Sequence, residues 1–91
     1  MPCPEINDYE ITEHAEWAMT RRGILRSDVK QVLQNPEQSE FVQPGRCVYQ
    51  SRIVSGASSM VYLLRVFVDV DQDPPQVVTV YRTSRVQKYW R

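Results

Sequence analysis

Three side chains in this sequence are of types that can carry chemistry and stand in positions that need a reason. His14 is the only histidine of the 91 residues, Arg65 lies in the middle of the largely apolar segment 60–70, and Tyr81 follows the segment 77–80. Histidine and tyrosine can exchange protons, and the planar guanidinium of arginine pairs with oxyanions. Each also has a structural explanation: a hydrogen-bonding helix residue, a cross-strand ion pair or solvated face, and a strand-forming residue.

The distribution of charge and of apolar residues limits which partners the chain could bind. The net charge is zero, but residues 1–45 carry four basic against eight acidic side chains and residues 46–91 carry seven against three. Proteins that bind long nucleic acids are usually basic overall, so only the C-terminal half of this chain could present a basic surface to a nucleic acid. No segment approaches the roughly 20 apolar residues of a membrane span. We therefore expect no membrane partner.

The cysteines and the histidine are too few and too far apart for a closed metal site. Cys3, Cys47 and His14 would be its only soft ligands, and a structural zinc site needs four. We expect no metal and no cofactor. Cys3 lies in a terminus that we expect to be frayed, so the sequence favours two reduced thiols and a cytoplasmic location over a disulfide.

Local patterns predict two helices ahead of the strands. Thr12 is suited to N-cap a first helix, and Gly23 is a natural residue after its last turn. The short link between the helices is expected to place Ile24 and Leu25 in the core. Ser27 is expected to cap a second helix, which ends at Asn35 because the residue before a proline is pushed out of the helical region. The first helix should bury one apolar stripe, with His14 and Arg21 at its edge and Arg22 within it. That stripe comprises Ile11, Ala15, Ala18 and Met19.

After the second helix the apolar pattern changes to the period of strands. A hairpin around Pro44-Gly45, a loop at 55–59 and a long strand with its antiparallel partner are predicted. The predicted strands are 40–43, 47–54, 60–70 and 76–82. The fold class is therefore α+β, with two N-terminal helices packed on a mainly antiparallel four-stranded sheet. Residues 1–10 form a lead-in, residues 11–91 a single domain, and 83–91 are open between a helical turn and an edge strand.

Alternation along the strands gives the sheet two unequal faces. The even-numbered residues 60–70 form an apolar face that should pack on the helices, joined by Val78 and Val80. The other face carries Arg65 and, beside it, Thr79 and Tyr81. We expect the function to lie on that second face.

Several short motifs resemble a family of small bacterial domains of unknown function that are distantly similar to RelE-type and BrnT-type toxins. The similar segments span residues 11–82. They are His14-Ala15, Met19, Arg22-Gly23-Ile24, Val29, Val32-Leu33, Asn35-Pro36 and Val78-Thr79-Val80-Tyr81. The chain departs from the pattern at Ala18, where many such domains carry a basic residue. The resemblance implies a RelE-like fold and a toxin-like activity.

RelE-type toxins cleave RNA without a metal, by attack of a ribose 2′-hydroxyl on the adjacent phosphate. The resemblance thus implies a metal-independent endoribonuclease of a toxin–antitoxin pair, of the mRNA-interferase type. A base, an acid and cations that neutralise the phosphorane are needed. The implied catalytic residues are His14, Arg65, Tyr81 and Arg22. The implied substrate-binding residues are Arg21, Thr79, Arg82, Arg85 and Lys88.

A rival hypothesis is a catalytically inactive protein-binding module on the same scaffold. The neutral overall charge and Ala18 favour this rival, whereas the polar cluster at Arg65 favours the enzyme. The basic, aromatic C-terminus with Trp90 suits either single-stranded RNA or a protein partner. The expected partners are RNA, a cognate antitoxin, or a second copy of the chain.

Overall fold

The structure is a computed structural model that describes residues 3–54 and 59–91. It is an α+β domain with the helices on both faces of one sheet. The elements in chain order are β1 (Glu10–Ile11), α1 (Glu13–Arg22), α2 (Arg26–Gln34), β2 (Gln38–Gln43), β3 (Arg46–Val54), β4 (Val61–Asp69), β5 (Gln76–Thr83) and α3 (Val86–Tyr89). The predicted loop at 55–59 lies almost entirely outside the described residues.

Within the described residues the sheet has five strands, in the order β1-β5-β4-β3-β2. The four longer strands are antiparallel, as predicted, while β1 pairs parallel to β5. The prediction of four strands and two helices was therefore incomplete. Backbone bonds from Glu10 N to Pro75 O and from Thr12 N to Val77 O hold β1 in place. A two-residue strand has no periodicity for a sequence pattern to reveal.

The boundaries of α1 follow its predicted caps. The Thr12 hydroxyl accepts a hydrogen bond from Ala15 N at 3.2 Å, and Gly23 adopts the left-handed conformation with φ 66°. Helix α2 begins earlier than predicted, because the Asp28 carboxylate accepts from Leu25 N and makes Leu25 the N-cap. Ile24 is buried, but Leu25 is exposed, so only the first of the two enters the core.

Helices α1 and α2 cover the predicted apolar face. Their buried residues pack with Leu64, Val66 and Val68 of β4 in one cluster. In β5 that cluster takes Val77 and Val80, and the prediction of Val78 was wrong. A bulge causes the change, since Phe67 is paired with Thr79 while the next residue, Val68, is paired with Val77. The exposed Met60 also lies outside the core that was predicted for it.

The N-terminal segment is part of the core rather than a frayed lead-in. Cys3 and Cys47 form a disulfide with their Cα atoms 6.2 Å apart, which corrects the expectation of two free thiols. The Tyr49 hydroxyl donates to Pro4 O at 2.5 Å, and Ile6 is buried in the hydrophobic core. These contacts fix a segment whose composition alone predicts fraying. In the described residues, no helix is both long and apolar enough to cross a membrane.

Candidate functional site

The second sheet face is covered by the C-terminal segment 86–91. Strand β5 ends at Thr83, and the chain then forms the single-turn helix α3. Of the two structures that the sequence left open for residues 83–91, the helical turn is therefore the one observed, since β5 is not an edge of the sheet. The rings of Tyr89 and Trp90 lie over Arg65 and Arg52, with their centroids 4.3 and 4.4 Å from the guanidinium carbons. The face that carries Arg65 is therefore a partly enclosed site.

Arg65 is the centre of this site. It is only 7% exposed, and it stands opposite Gln50 of β3 and Tyr81 of β5 in the sheet register. Its Nε donates to Gln50 Oε1 at 2.9 Å and its Nη1 donates to the Tyr81 hydroxyl at 2.6 Å. The rings of Phe67 and Tyr81 lie 5.3 and 5.6 Å from the guanidinium carbon, so with Tyr89 three aromatic rings surround the charge.

No carboxylate balances the charge of Arg65. All eleven acidic side chains fall within the residues that the structure describes, and the ion pairs found there do not include this arginine. Buried charges are normally paired, because removing an ion from water is costly. Within the described residues Arg65 makes its hydrogen bonds through Nε and Nη1, and the side chains that accept them are neutral.

The two tyrosines at this site differ in acidity. Burial raises the pKa of Tyr81, and the hydrogen bond and charge of Arg65 partly oppose the increase. The pKa of Tyr89 is lowered, first by hydrogen bonding with the Tyr81 hydroxyl and further by the neighbouring charges of Lys88 and Arg65. Of the two hydroxyls, that of Tyr89 therefore loses its proton more readily than that of Tyr81.

Hydrogen bonds from β2 and β3 hold the C-terminal segment against the sheet. The Gln38 amide bonds both the backbone N–H and the carbonyl of Arg91, at 3.1 and 3.0 Å, and the side chain of Arg91 pairs with Glu40. Gln50 Nε2 donates to the carbonyl of Tyr89 at 3.0 Å. Because Gln50 also accepts from Arg65, one buried amide fixes both the guanidinium and the ring above it.

The structure does not bring the predicted residues of α1 to this site. Helix α1 packs Ala15 and Met19 into the core on the opposite side of the sheet. His14 is exposed beside Trp17, with ring centroids 5.8 Å apart, and Arg21 stacks over the same indole at 4.9 Å. Arg22, expected within the apolar stripe, is also exposed.

The predicted residues of β5 and the C-terminus are divided between the faces. Thr79 lies on the Arg65 face opposite Phe67, and no side-chain hydrogen bond to it occurs in the described residues. Arg82 is paired with Leu64, which places it on the helix side, where it lies 5.6 Å from the ring of Tyr62.

Arg85 immediately precedes α3, Lys88 lies within it, and both are exposed. They line a cleft of about 610 Å³ together with Arg52, Val61 and Trp90. No acidic side chain of the described residues lines that cleft. This cleft lies on the same face as Arg65.

Sequence reasoning missed Gln50 and Tyr89. Gln50 is a polar residue at a strand position that faces Arg65 across the hairpin, and this pairing becomes visible only once the register is fixed. Tyr89 lies in the segment whose conformation the sequence left open. In residues 3–54 and 59–91 no group of three or more His, Cys, Asp or Glu side chains is placed to share a metal ion.

Comparison with known families assigns the chain. Residues 11–82 match the sequence profile of the domain of unknown function DUF4258. The chain belongs to this family. The matched part of this DUF4258 domain includes Gln50, Arg65 and Tyr81 but ends before α3 and Tyr89. No curated protein and no solved structure matches the chain.

Proposed function

We propose that this DUF4258 domain is a toxin-like, metal-independent endoribonuclease whose Arg65 binds the scissile phosphate of single-stranded RNA. One observation carries the proposal: Arg65 is buried, is held by neutral partners and has no carboxylate. A structural arginine in such a place would be expected to have an acidic partner. An unbalanced, preorganised guanidinium instead suits an anionic ligand.

We assign the two proton transfers to the tyrosines that lie beside Arg65. The phenolate of Tyr89, whose ring lies over the guanidinium, accepts the proton of the ribose 2′-hydroxyl. The 2′-oxygen then forms a bond to phosphorus, and the bond from phosphorus to the 5′-oxygen breaks. Tyr81 supplies the proton that the leaving 5′-oxygen takes, while Arg65 neutralises the charge on the phosphorane. The products are a 2′,3′-cyclic phosphate and a 5′-hydroxyl.

The substrate can reach Arg65 only if the C-terminal segment shifts, because Tyr89 lies directly over the guanidinium. Apart from the bond between Gln50 Nε2 and the Tyr89 carbonyl, the polar anchors of that segment lie at the surface. The pair between Arg91 and Glu40 is exposed, and exposed ion pairs contribute about 0–1 kcal/mol each. The Gln38 bonds are also at the surface.

Cleavage of labelled single-stranded RNA by the purified protein tests the proposal. We expect a 2′,3′-cyclic phosphate product, and Arg65→Gln should lower the rate by roughly a hundredfold, as for loss of one donor to a developing oxyanion. Tyr89→Phe should lower the rate strongly, because it removes the proton acceptor. A wild-type protein that leaves single-stranded RNA intact would overturn the proposal.

His14→Ala distinguishes two assignments of the base. Since His14 lies on the other side of the sheet, its removal should leave the cleavage rate nearly unchanged. A loss comparable with that of Tyr89→Phe would return the proton transfer to the imidazole. Expression of the wild type should also arrest growth of the host cell, with relief by Arg65→Gln.

The second candidate function is a catalytically inactive protein-binding module. Strand β2 supports it, because it is an edge of the sheet and its Phe41 and Val42 are 42% and 43% exposed. An extended segment of an antitoxin could add to this edge through main-chain hydrogen bonds. Phe41→Glu should abolish co-purification with a protein encoded next to it, and retained binding would remove the β2 edge from consideration.

A further inference from the structure

We infer that the cleft between α3 and the sheet is a binding subsite for one unpaired nucleotide, next to the phosphate bound at Arg65. This inference rests on the proposed function for the role of that neighbouring phosphate, but not for the binding itself. The cleft combines positive charge, an aromatic ring and a suitable volume. It encloses about 610 Å³, and its lining includes Arg52, Arg85, Lys88 and Trp90.

The position of the cleft follows from the register of β3 and β4. Arg52 lies two residues after Gln50 on the same face of β3, and Gln50 is paired with Arg65. Two residues along a strand cover about 7 Å, a distance that one nucleotide of an extended strand can span. Above the sheet, Tyr89 lies over Arg65 and Trp90 over Arg52. The site and the cleft therefore repeat the same pairing of arginine and aromatic ring.

The charges in the cleft are available to a ligand. Arg52 is paired with Glu37 at 2.8 Å, but neither Arg85 nor Lys88 takes part in an ion pair within the described residues. Both are exposed at the rim of the cleft. They can contact phosphates, while the Trp90 ring can stack on a base without regard to its sequence.

These features favour single-stranded RNA over an acidic protein segment. A carboxylate-rich peptide would use Arg85 and Lys88 but has no ring to place against Trp90. A base on Trp90 and a phosphate at the rim use both kinds of group, and the next phosphate reaches Arg65. A duplex presents its bases stacked and paired, so it cannot use the ring.

The fluorescence of Trp90 gives a direct test. The chain has two tryptophans, so Trp17→Phe leaves Trp90 as the single emitter. The probe is a hexamer of 2′-O-methyluridine, which cannot be cleaved because its 2′-oxygens are blocked. We expect saturable quenching of Trp90 by this probe and none by an RNA duplex of equal length. Weak quenching that does not saturate would overturn the inference.

A matched pair of double variants distinguishes binding in the cleft from a general effect of positive charge on binding. Arg85→Glu with Lys88→Glu should weaken binding of the hexamer at least tenfold and reduce the salt slope, since each phosphate contact to a single strand adds about 0.7 to it. Arg22→Glu with Lys30→Glu makes the same change of charge on the helix side and should weaken binding less than threefold. Equal losses in the two double variants would overturn the subsite.

Three further outcomes bear on this inference, and the last two distinguish it from the proposed function. Hexaglutamate that quenches Trp90 as strongly as the hexamer at equal ionic strength would assign the cleft to an acidic protein. Quenching that persists in a protein without ribonuclease activity would support the subsite and overturn only the enzyme. Cleavage that proceeds normally in Arg85→Glu with Lys88→Glu, without a change in KM, would overturn the subsite and leave the enzyme intact.

Discussion

Raising the pH should destabilise this protein in part through the buried Tyr49. Tyr49 lies in the core between the sheet and the N-terminal segment, and its hydroxyl donates to Pro4 O. Burial raises the pKa of Tyr49 from 10.0 to about 12. The unfolded chain therefore loses the proton of this hydroxyl at a lower pH than the folded protein does. The contribution of this shifted pKa to the free energy of unfolding is complete below pH 10 and is lost as the pH rises from 10 to 12.

The magnitude follows from that difference in pKa. One pKa unit corresponds to about 1.36 kcal/mol, so the free energy of unfolding should fall by about 1.4 kcal/mol by pH 11 and by about 2.7 kcal/mol well above pH 12. Urea unfolding at a series of pH values measures it. Tyr49→Phe is the control, because it keeps the ring and removes the ionisable group.

The two proteins should respond differently to alkali. Tyr49→Phe is expected to be about 1 kcal/mol less stable at pH 7, since it loses the hydrogen bond to Pro4. Between pH 9 and pH 11 the free energy of unfolding should fall by about 1.4 kcal/mol more in the wild type than in Tyr49→Phe. If both proteins lose the same free energy over that interval, Tyr49 is not the group that titrates and the assignment is refuted.

Three further predictions concern the disulfide, a tight turn and a surface ion pair. Cys3→Ala opens a cross-link that spans 44 residues, and urea unfolding should show a loss of about 4 kcal/mol; a loss below about 1 kcal/mol would contradict it. Gly45 has φ 80°, and a Cβ there would lie 2.6 Å from Asp71 Oδ2, so Gly45→Ala should lower the melting temperature, with partial recovery on adding Asp71→Ala. Hydrogen bonds from Arg52 lower the pKa of Glu37 to about 2. The pair stabilises the fold fully above pH 4.5, and this stabilisation is lost as the pH falls through about 2. An NMR titration of the Glu37 carboxyl should show the lowered pKa. If the pKa of Glu37 stays the same in Arg52→Gln, the hydrogen bonds from Arg52 are not its cause.

The C-terminal segment connects the two proposals for RNA. The backbone of Arg91 is fastened by Gln38, and this contact keeps Tyr89 and Trp90 in place over the sheet. The same segment closes Arg65 and forms one wall of the cleft. Binding of RNA at Arg65 should therefore change the environment of Trp90 as well.

The sequence alone determined those features that depend on neighbouring residues. Thr12 and Gly23 set the two ends of α1, because an N-cap and a left-handed residue after the last turn are local requirements. The alternation in β4 placed Arg65 on the face opposite Val66, since the direction of a side chain in a strand follows from its position. These preferences act within a few residues and need no knowledge of the rest of the chain.

Only the tertiary structure decided what surrounds those residues. Because of a bulge next to Phe67, Val77 rather than Val78 lies in the core. The N-terminal segment, expected to be frayed, is fixed by the disulfide of Cys3. His14 was separated from Arg65 because α1 packs on the other face of the sheet.

The site itself was assembled from distant parts of the chain. Gln50 and Tyr89, which the sequence did not single out, meet at Arg65 although 39 residues separate them. Contacts at such separations depend on the register of the sheet and on the path of the chain after β5. Local pattern carries no information about either, so it could place the arginine on its face but not predict the rings and the amide that enclose it.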